Sequence, residues 1–212
     1  MSTLYVPAHF AETRTEIVES FLRQHPFCSL VTSGPTGLFA SHLPMRLDVS
    51  RGEKGVLRGH LARANPHWKA AVSDALAIFS GPGAYVSPSY YPSKQNDPRT
   101  VPTWNYSVVH VLGKVKFIHD PQFVRENVTE LTEMMESNRP YPWQVSDAPD
   151  EYIGKLLHAI VGVEIEIQDI QAKFKLSQNR KPEDVQGVVD GLSASAESAA
   201  GHDVAKAMRN LG

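Results

Sequence analysis

Alternation of apolar and polar residues is the dominant pattern of the chain, and it predicts mostly β-strands. The alternation is longest over residues 103–118, and it returns over 160–167, where apolar residues alternate with Glu164 and Glu166, and over 170–176. Shorter apolar runs bounded by glycine, proline and serine predict further strands. These lie at residues 27–32, 38–48, 55–59, 75–80 and 84–87.

Apolar residues spaced three or four positions apart predict helices between the strands. We expect one helix over residues 12–24, another over 120–135 and a third over 150–157. Residues 185–212 favour one or two weak helices with a frayed end. The inward positions are expected to be Ile17, Val18, Phe21 and Leu22 in the first helix, and Phe123, Val128, Leu131 and Met135 in the second.

Strands joined by short turns, with helices inserted between them, favour an α+β protein that is mainly β, an antiparallel barrel with helical decorations. A doubly wound parallel sheet requires regular alternation of strand and helix and a glycine-rich first turn, and the chain has neither. We expect one domain over residues 1–182, with a helical extension over 183–212 packed on the same domain.

Composition and charge narrow the classes of function. Lysine and arginine number 21 against 23 aspartates and glutamates, a formal charge of −2, so no broad basic surface points to nucleic acid. The single cysteine, Cys28, lies in the apolar run PFCSLV and is expected to be a buried thiol. No stretch approaches membrane-spanning length, and the first residues show no leader pattern. We expect a soluble, cytoplasmic protein.

Residues 58–69, RGHLARANPHWK, form the most informative junction. A strand is expected to end at Gly59, and Asn65-Pro66 to cap and begin a helix. Backbone N–H groups at such a junction, with a glycine that admits a ligand and the donors His60 and Arg63, fit a phosphate. The alternative is a capped surface helix whose cations are only solvated.

Three other features each have two interpretations. Pro44 interrupts a strand and marks an edge or a bulge, where main-chain groups stay free for a flat ligand. The loop at 88–102 is either a functional loop over the substrate side or a mobile surface segment. Trp104 and Asn105 either contact a planar ring or, in the case of Trp104, fill the core.

Common motifs of enzyme chemistry are missing. None of the nine histidines lies in a common metal-ligand spacing, and the chain has no GxSxG motif and no P-loop. Polar clusters at strand ends remain, and their cations, amides and hydroxyls beside an aromatic residue suit a phosphorylated, planar, heteroaromatic ligand. The clusters are Ser41-His42, His60 with Arg63, Trp104-Asn105, and Lys175 with Ser177 and Gln178.

Six segments occur in an order that resembles the PaiB-like family of FMN-binding negative transcriptional regulators. They are MSTLYVPAHF, SHLP, GHLARANPHW, GPGAYVSPSYYPSK, VPTWNY and KLSQNR, and the resemblance runs over about residues 1–192. It implies an FMN-binding split β-barrel, the fold of the pyridoxamine phosphate oxidases. It also implies a homodimer with the flavin near the subunit interface.

The resemblance implies a set of flavin-binding residues and no catalytic residue. His42, Leu43, Pro44 and Met45 are expected to line the isoalloxazine ring, and His60, Leu61, Ala62 and Arg63 to hold the phosphate. Trp104 and Asn105 are expected to reach the ring, from the same or the partner subunit, and Lys175, Ser177 and Gln178 to close the site. The oxidases carry a serine-arginine-lysine run that this chain lacks, so the individual phosphate ligands stay open.

Two functions follow from these expectations. One is a flavin-binding regulator in which FMN is a ligand or redox sensor for repression, although no helix-turn-helix or basic face supports direct DNA binding. The other is an FMN-dependent oxidoreductase using a reduced nicotinamide or another small-molecule donor, since flavin carries the chemistry itself. A barrel that has lost flavin and serves as an interaction module is the remaining alternative. Replacing Arg63 by Ala is expected to weaken FMN binding with little effect on folding.

Overall fold

The fold is an antiparallel β-sheet with helices, as described by a computed structural model over residues 3–35, 37–71, 73–194 and 199–211. Seven strands in these ranges follow the order β1-β7-β4-β3-β2-β5-β6, and β7 also pairs with β6. The strands are β1 (Ala11–Glu12), β2 (Phe27–Gly34), β3 (Gly37–Asp48), β4 (Val56–Ala62), β5 (Asp74–Val86), β6 (Thr103–Ile118) and β7 (Ile160–Lys175). Because β6 returns to β7, the six long strands form a closed ring, and the predicted antiparallel barrel is confirmed.

Helices occupy the connections and the C-terminal region. They are α1 (Thr15–Gln24), α2 (His67–Ala70), α3 (Pro121–Glu136), α4 (Asp150–His158), α5 (Pro182–Ala194) and α6 (Ala199–Arg209). Single 3-10 turns lie at Ala8–Phe10, Pro88–Tyr90, Pro92–Gln95 and Val145–Asp147. Within the described ranges, no helix is long and apolar enough to cross a membrane.

The chain divides into two compact units. Unit 1 comprises residues 1–18, 80–109 and 171–212, and unit 2 comprises residues 19–79 and 110–170, as far as each is described. Strands β5, β6 and β7 each contribute residues to both units.

In unit 2, alternate residues of the strands form a core that excludes water. Leu30, Leu57 and Ile165 are each fully buried, as the two-residue periodicity of their strands requires. A second cluster lies under α3 and α4. It consists of Val124, Val145, Ile153 and Leu157, with Phe123, Val128, Ala148 and Ile160 packed against it.

Polar contacts hold α3 on β4. Asn127 is fully buried, and its Nδ2 donates to the carbonyl oxygen of Gly59 at 2.8 Å. Arg58, 3% exposed, donates to Glu130 at 3.1 Å, and its guanidinium carbon lies 4.4 Å from the ring centre of Phe123. Leu131 is buried and Phe123 and Val128 pack inward as predicted, whereas the prediction of an inward Met135, near the end of α3, is wrong because this residue is 53% exposed.

In unit 1, the C-terminal helices have a substantial core. Val188 of α5 and Val204 of α6 are fully buried, and Leu192 and Met208 are nearly so. The helices therefore pack firmly, which differs from the predicted weak helices. Part of the C-terminal prediction falls on residues 195–198 and 212, which lie outside the described residues. The same holds for residues 1–2 of the first segment and for Thr36 of the expected turn at 33–37.

Element boundaries differ from the sequence pattern where strand pairing decides them. Glu12 was expected to begin α1, but it pairs with Ala172 in β7 and α1 starts at Thr15. The two strands expected over 160–167 and 170–176 form one continuous strand, and so do those over 75–80 and 84–87. Antiparallel pairing keeps these segments extended through local polar or glycine residues that resemble turns.

Candidate functional site

Strand β3 changes its neighbour at Pro44. Residues from Gly37 to Pro44 pair with β2, whereas pairing with β4 begins only at Met45, which lies opposite Gly59. Pro44 has no N–H to donate, so its position at this change costs no ladder hydrogen bond. Of the two interpretations of Pro44, the structure shows an interruption inside the sheet, since β3 has strand neighbours on both sides. The side of residues 41–44 that faces away from β2 has no strand partner among the described residues.

Gly59 lies within β4 and does not end it. A Cβ atom at this position would stand 2.7 Å from the carbonyl oxygen of Pro44 and 3.1 Å from Cγ of Met45. The missing side chain therefore admits β3, so the expectation that Gly59 admits a ligand is wrong. The strand continues to Ala62, which places His60 and Leu61 in the sheet opposite Gly162 and Val161 of β7.

His60 follows this close approach and carries an unsatisfied atom. Its Nδ1 is buried and has no hydrogen-bond partner among the described residues. Burial lowers the pKa of His60 below its ordinary value, so the ring is neutral near pH 7. A neutral imidazole nitrogen without a partner is an available donor or acceptor beside the unpaired part of β3.

The remaining predicted residues on β3 and β4 differ in exposure. His42 is exposed and its Nδ1 lies 3.0 Å from Oγ of Ser29, while its ring lies 6.4 Å from that of Phe27. Leu43, Met45 and Leu61 are buried and serve as core. Ala62, the last residue of β4, is exposed. The structure thus brings His42 to Met45 and His60 to Ala62 together at one change of strand pairing.

Arg63 binds the main chain of unit 2. Its Nε donates to the carbonyl oxygen of His158 at 2.7 Å and its Nη2 to that of Ile160 at 2.9 Å. Nη1 lies 3.1 Å from Nδ1 of His119, which must accept because a guanidinium has no acceptor. Two of its five N–H groups remain without a partner among the described residues. Arg63 therefore binds the end of α4, and the small effect of its removal on folding stays a prediction against which these contacts argue.

The Asn-Pro junction forms the predicted cap on a very short helix. Oδ1 of Asn65 accepts from the backbone N–H of His67 at 3.0 Å, with Pro66 already in helical conformation. The helix α2 that follows has only four residues. It is too short to supply the dipole and row of N–H groups on which a helix N-terminal phosphate site depends.

A buried polar network at this junction was missed by the sequence reasoning. His67 is fully buried, with Nδ1 2.9 Å from Oγ of Ser41 and Nε2 2.8 Å from Oγ1 of Thr32. Ser41 also accepts from Nδ2 of Asn65 at 2.9 Å. Thr32 and His67 are 35 positions apart, so no local spacing indicates their contact. The network fixes Ser41, the residue that begins the unpaired part of β3.

In unit 1, Trp104 and Asn105 have opposite surroundings. Trp104 is 58% exposed, with its ring 6.3 Å from that of Tyr85, so the alternative that Trp104 fills the core is wrong. Asn105 is fully buried, and its Nδ2 donates to Oγ of Ser177 at 2.9 Å and lies 3.5 Å from Sδ of Met208. These contacts bring Asn105 and Ser177 together under α6.

Lys175 and Gln178 contact main-chain groups of unit 1. Nζ of Lys175 donates to Oγ1 of Thr103 at 2.7 Å and to the carbonyl oxygen of Trp104. The side chain of Gln178 folds back on β7, where Oε1 accepts from the backbone N–H of Leu176 at 2.8 Å. Lys175 therefore joins Trp104, whereas Gln178 stabilises the end of its own strand.

The loop at 88–102 is held against α5. Asp184, only 4% exposed, accepts from the backbone N–H of Ser93 at 3.1 Å and from its hydroxyl at 2.8 Å. Tyr90 packs on Gly187 and Gly191, where the absence of a side chain leaves room for it. Asp184 is buried and Tyr90 and Ser93 are half-buried, so the part of the loop from Tyr90 to Ser93 is held in place, which argues against a mobile surface segment there.

The residues of unit 2 fit a flavin. The unpaired main-chain side of residues 41–44 provides donors and acceptors for the polar edge of a planar ring, and the buried Nδ1 of His60 provides one more. Arg63 retains N–H donors for a phosphate. Within the described ranges, no group of three or more histidines, cysteines or carboxylates lies together in a metal-ligating arrangement.

A closed antiparallel ring in which residues 41–44 leave one main-chain side unpaired beside His60 is a split barrel with an edge on which a planar cofactor can lie. The family model described as "Putative FMN-binding domain" matches residues 4–169. Protease synthase and sporulation protein PAI 2 of Bacillus subtilis is 35% identical over 191 residues, which cover 89% of each chain. The chain belongs to this PaiB-like FMN-binding family, and its cofactor is FMN or a related flavin.

Solved structures confirm the fold. The flavocytochrome Anf3 from Azotobacter vinelandii superposes with a TM-score of 0.57 at 16% identity, over 82% of this chain and 74% of that one. The FAD and heme binding protein from Mycobacterium smegmatis gives 0.56 at 14% identity, over 83% and 78%. At these identities the likeness establishes the split-barrel architecture alone.

Proposed function

We propose that the chain is an FMN-binding protein of the negative transcriptional regulator type, in which the flavin is a ligand or a redox sensor. The observation that supports this proposal is the similarity over 89% of both chains to PAI 2, which carries the name protease synthase and sporulation protein. Regulation by a bound ligand needs a binding site and no acid–base pair, which agrees with the residues of both units.

The proposed flavin site follows the residues predicted from the sequence. The open side of residues 41–44 and the orphan nitrogen of His60 support contacts to the ring, and Arg63 supports a contact to the phosphate. When bound, FMN supplies electron-transfer chemistry through its own ring system. The complete proposed set is His42, Leu43, Pro44, Met45, His60, Leu61, Ala62, Arg63, Trp104, Asn105, Lys175, Ser177 and Gln178.

An FMN-dependent oxidoreductase is the second candidate, and His60 favours it. A neutral, buried imidazole with an unpartnered Nδ1 can give or take a proton next to the proposed ring position. A reduced nicotinamide or another small donor would then deliver electrons to the flavin, and His60 would give or take the accompanying proton.

The first test is the absorption spectrum of the protein after incubation with FMN and desalting, followed by identification of the flavin that heat releases. We expect about one FMN per subunit, as one such edge exists in each chain. A colourless protein that retains no flavin would overturn the proposal and leave the interaction module as the better function.

A second pair of measurements separates the regulator from the oxidoreductase. Promoter DNA that shifts at low salt and is released steeply as salt rises would support direct regulation. Oxidation of NADH or NADPH, or anaerobic reduction of bound FMN by either donor, would support the enzyme. Absence of any DNA shift even at low salt contradicts direct operator binding by this chain.

Assembly and domain organisation are part of the same proposal. A homodimer with flavin near the subunit interface is supported by the exposed aromatic side chains of Tyr85 and Trp104 in unit 1. The division into a barrel domain at 1–182 with a packed helical extension at 183–212, and the cytoplasmic location, stay predictions.

A further inference from the structure

Three cations in unit 1 each lie over aromatic rings. Lys173 and Lys175 are two positions apart on β7 and so project from the same face, and Arg180 follows shortly after the strand. Their aromatic partners are close. Nζ of Lys173 lies 5.4 Å from the ring centres of both Tyr5 and Tyr106, Nζ of Lys175 lies 5.8 Å from that of Phe10, and Cζ of Arg180 lies 4.9 Å from that of Tyr91.

These three cations form no ion pair with a carboxylate among the described residues. The acidic residue on the strand that pairs with this part of β7 is Glu12 of β1, which lies opposite Ala172. Glu12 therefore points to the face opposite Lys173. Its Oε1 accepts from the backbone N–H of Arg14 at 2.9 Å, and its Oε2 accepts from Nη2 of Arg14 at 2.7 Å.

Lys173 is the clearest sign that an anion belongs here. The residue is only 8% exposed, and among the described residues its ammonium has the two tyrosine rings as partners and no hydrogen-bond acceptor. The rings replace only part of the hydration of this ammonium, so a bound anion would stabilise it further. The pKa of Lys175 is lowered by burial, and the charges of Lys173 and Arg180 lower it further, so the three cations act on one another.

We propose that Lys173, Lys175 and Arg180 form a binding site for a phosphate group. Three cations with no opposing carboxylate match a phosphate dianion better than a single carboxylate, and Arg180 offers the forked donors that phosphate oxygens accept. The phosphate belongs either to FMN itself, in which case this cluster and not Arg63 holds the phosphate of the flavin, or to a separate nucleotide. The FMN source rests on the proposed function, whereas the separate source does not.

The test measures binding of three probes to the full chain by titration calorimetry. FMN and riboflavin share a ring and differ in the phosphate, and AMP represents a separate nucleotide. The variant Lys173→Gln removes one charge. Lys206→Gln, at an exposed position of α6 in the same unit, is the matched control. Loss of one charge-assisted contact is expected to weaken the phosphate ligand about tenfold or more.

The outcomes identify the source of the phosphate. If FMN weakens in Lys173→Gln and riboflavin does not, the phosphate is that of the flavin. If AMP alone weakens, the phosphate is that of a separate nucleotide, and this result stands even when the chain binds no flavin. Lys173→Arg should restore the affinity in either case, and Lys206→Gln should match the unmodified protein.

Unchanged affinities for FMN and AMP in Lys173→Gln would overturn the proposal, as would a chain that binds neither probe. Because Lys173 is buried, circular dichroism must first show that the variant is folded. If it is not, Arg180→Gln, at a half-buried position, takes its place with the same expected weakening. If neither FMN nor riboflavin binds, the proposed function is wrong. If every variant then also binds AMP as tightly as the unmodified protein, the phosphate site is wrong.

Discussion

At the scale of single residues, Arg63 joins three parts of unit 2 that are distant in sequence. Its donors reach the carbonyl oxygens of His158 and Ile160, so the guanidinium satisfies the last carbonyl of α4 and the first of β7. Because Arg63 is exposed, water can replace it at both carbonyl oxygens, and its removal costs the difference between a charge-assisted bond and a bond to water. One side chain thus has a structural role and a proposed ligand-binding role.

We expect Arg63→Ala to lower the free energy of unfolding by about 1–2 kcal/mol, because two carbonyl oxygens lose their charge-assisted hydrogen bonds. Urea denaturation measures the change. Arg99→Ala is the control, since Arg99 lies on the surface of unit 1 and its ion pair with Asp97 is exposed, and its midpoint should match the parent protein. Equal midpoints for Arg63→Ala and the parent would show that these hydrogen bonds add nothing to stability.

Buried histidines make stability depend on pH. Burial lowers the pKa of His60, His67 and His110 below the ordinary value of about 6.5. The folded chain keeps these rings neutral while the unfolded chain takes up protons as pH falls below that value. Their contribution to stability is therefore complete above about pH 7 and is lost progressively as the pH falls toward the lowered pKa values.

We expect the free energy of unfolding, measured by urea denaturation, to be lower at pH 5.5 than at pH 7.5. His67→Gln keeps a neutral hydrogen-bonding group in contact with Ser41 or Thr32 and should reduce this dependence, whatever its effect at pH 7.5. His202→Gln, at an exposed position in α6, should leave the dependence as it is. A steeper dependence in His67→Gln than in the parent would contradict the assignment.

At the scale of elements, the packing of α5 explains why the long loop is ordered. Gly187 and Gly191 present a bare helix surface to Tyr90, and Asp184 binds Ser93 one turn away. A Cβ at Gly187 would overlap the backbone oxygen of Tyr90, which cannot move as a side chain can. The helix that the sequence predicts as weak is therefore a support of the loop.

We expect Gly187→Ala to destabilise the protein by about 1–3 kcal/mol through overpacking, despite the better helix propensity of alanine. Gly154→Ala is the matched control, since its Cβ in α4 would meet no atom within 4 Å. That change should stabilise by about 0.5–1 kcal/mol. Thermal unfolding of both variants checks the pair, and a stabilised Gly187→Ala would show that the loop does not bear on α5.

Strand β3 shows how an element is shaped by its neighbours. Its pattern predicts one strand from its turn to Asp48, and the strand is continuous as expected. The change from β2 to β4 at Pro44 follows from the register of three strands together. Pro44 indicates that something changes there, but its own sequence context does not specify which side of the strand stays open.

At the scale of the whole molecule, charge and exposed surface bear on the partners. The formal charge of −2 gives little attraction to DNA, so any operator binding must depend on a local patch. Tyr85 and Trp104 are 50% and 58% exposed and contact each other edge to face, which is an apolar surface suited to a second copy of the chain.

We expect the protein to be a dimer by light scattering, and the double variant Tyr85→Ser/Trp104→Ser to shift toward monomer, because it removes both exposed rings of the proposed contact. Tyr141→Ser is the control, since Tyr141 is 93% exposed in unit 2 and lies outside that contact. A dimer that is unaffected by the double substitution would place the subunit interface elsewhere.

The sequence by itself determined the features that depend on near neighbours. The long strand at 103–118, the cap at Asp120 and the cap at Asn65 all occur where the pattern predicts them, because periodicity and capping involve residues within one or two turns. The ordered motifs also predict the FMN-binding split barrel, which the family comparison confirms.

The tertiary structure alone decided which groups are occupied and which are open. Arg63 was predicted to bind the phosphate and Asn105 to contact the ring, and both also bind protein groups that lie 95 and 72 positions away. The network of His67 with Thr32 and the position of Lys173 beside Tyr5 likewise depend on strand register and helix packing. Burial and register arise from the whole chain together, so no local pattern contains them.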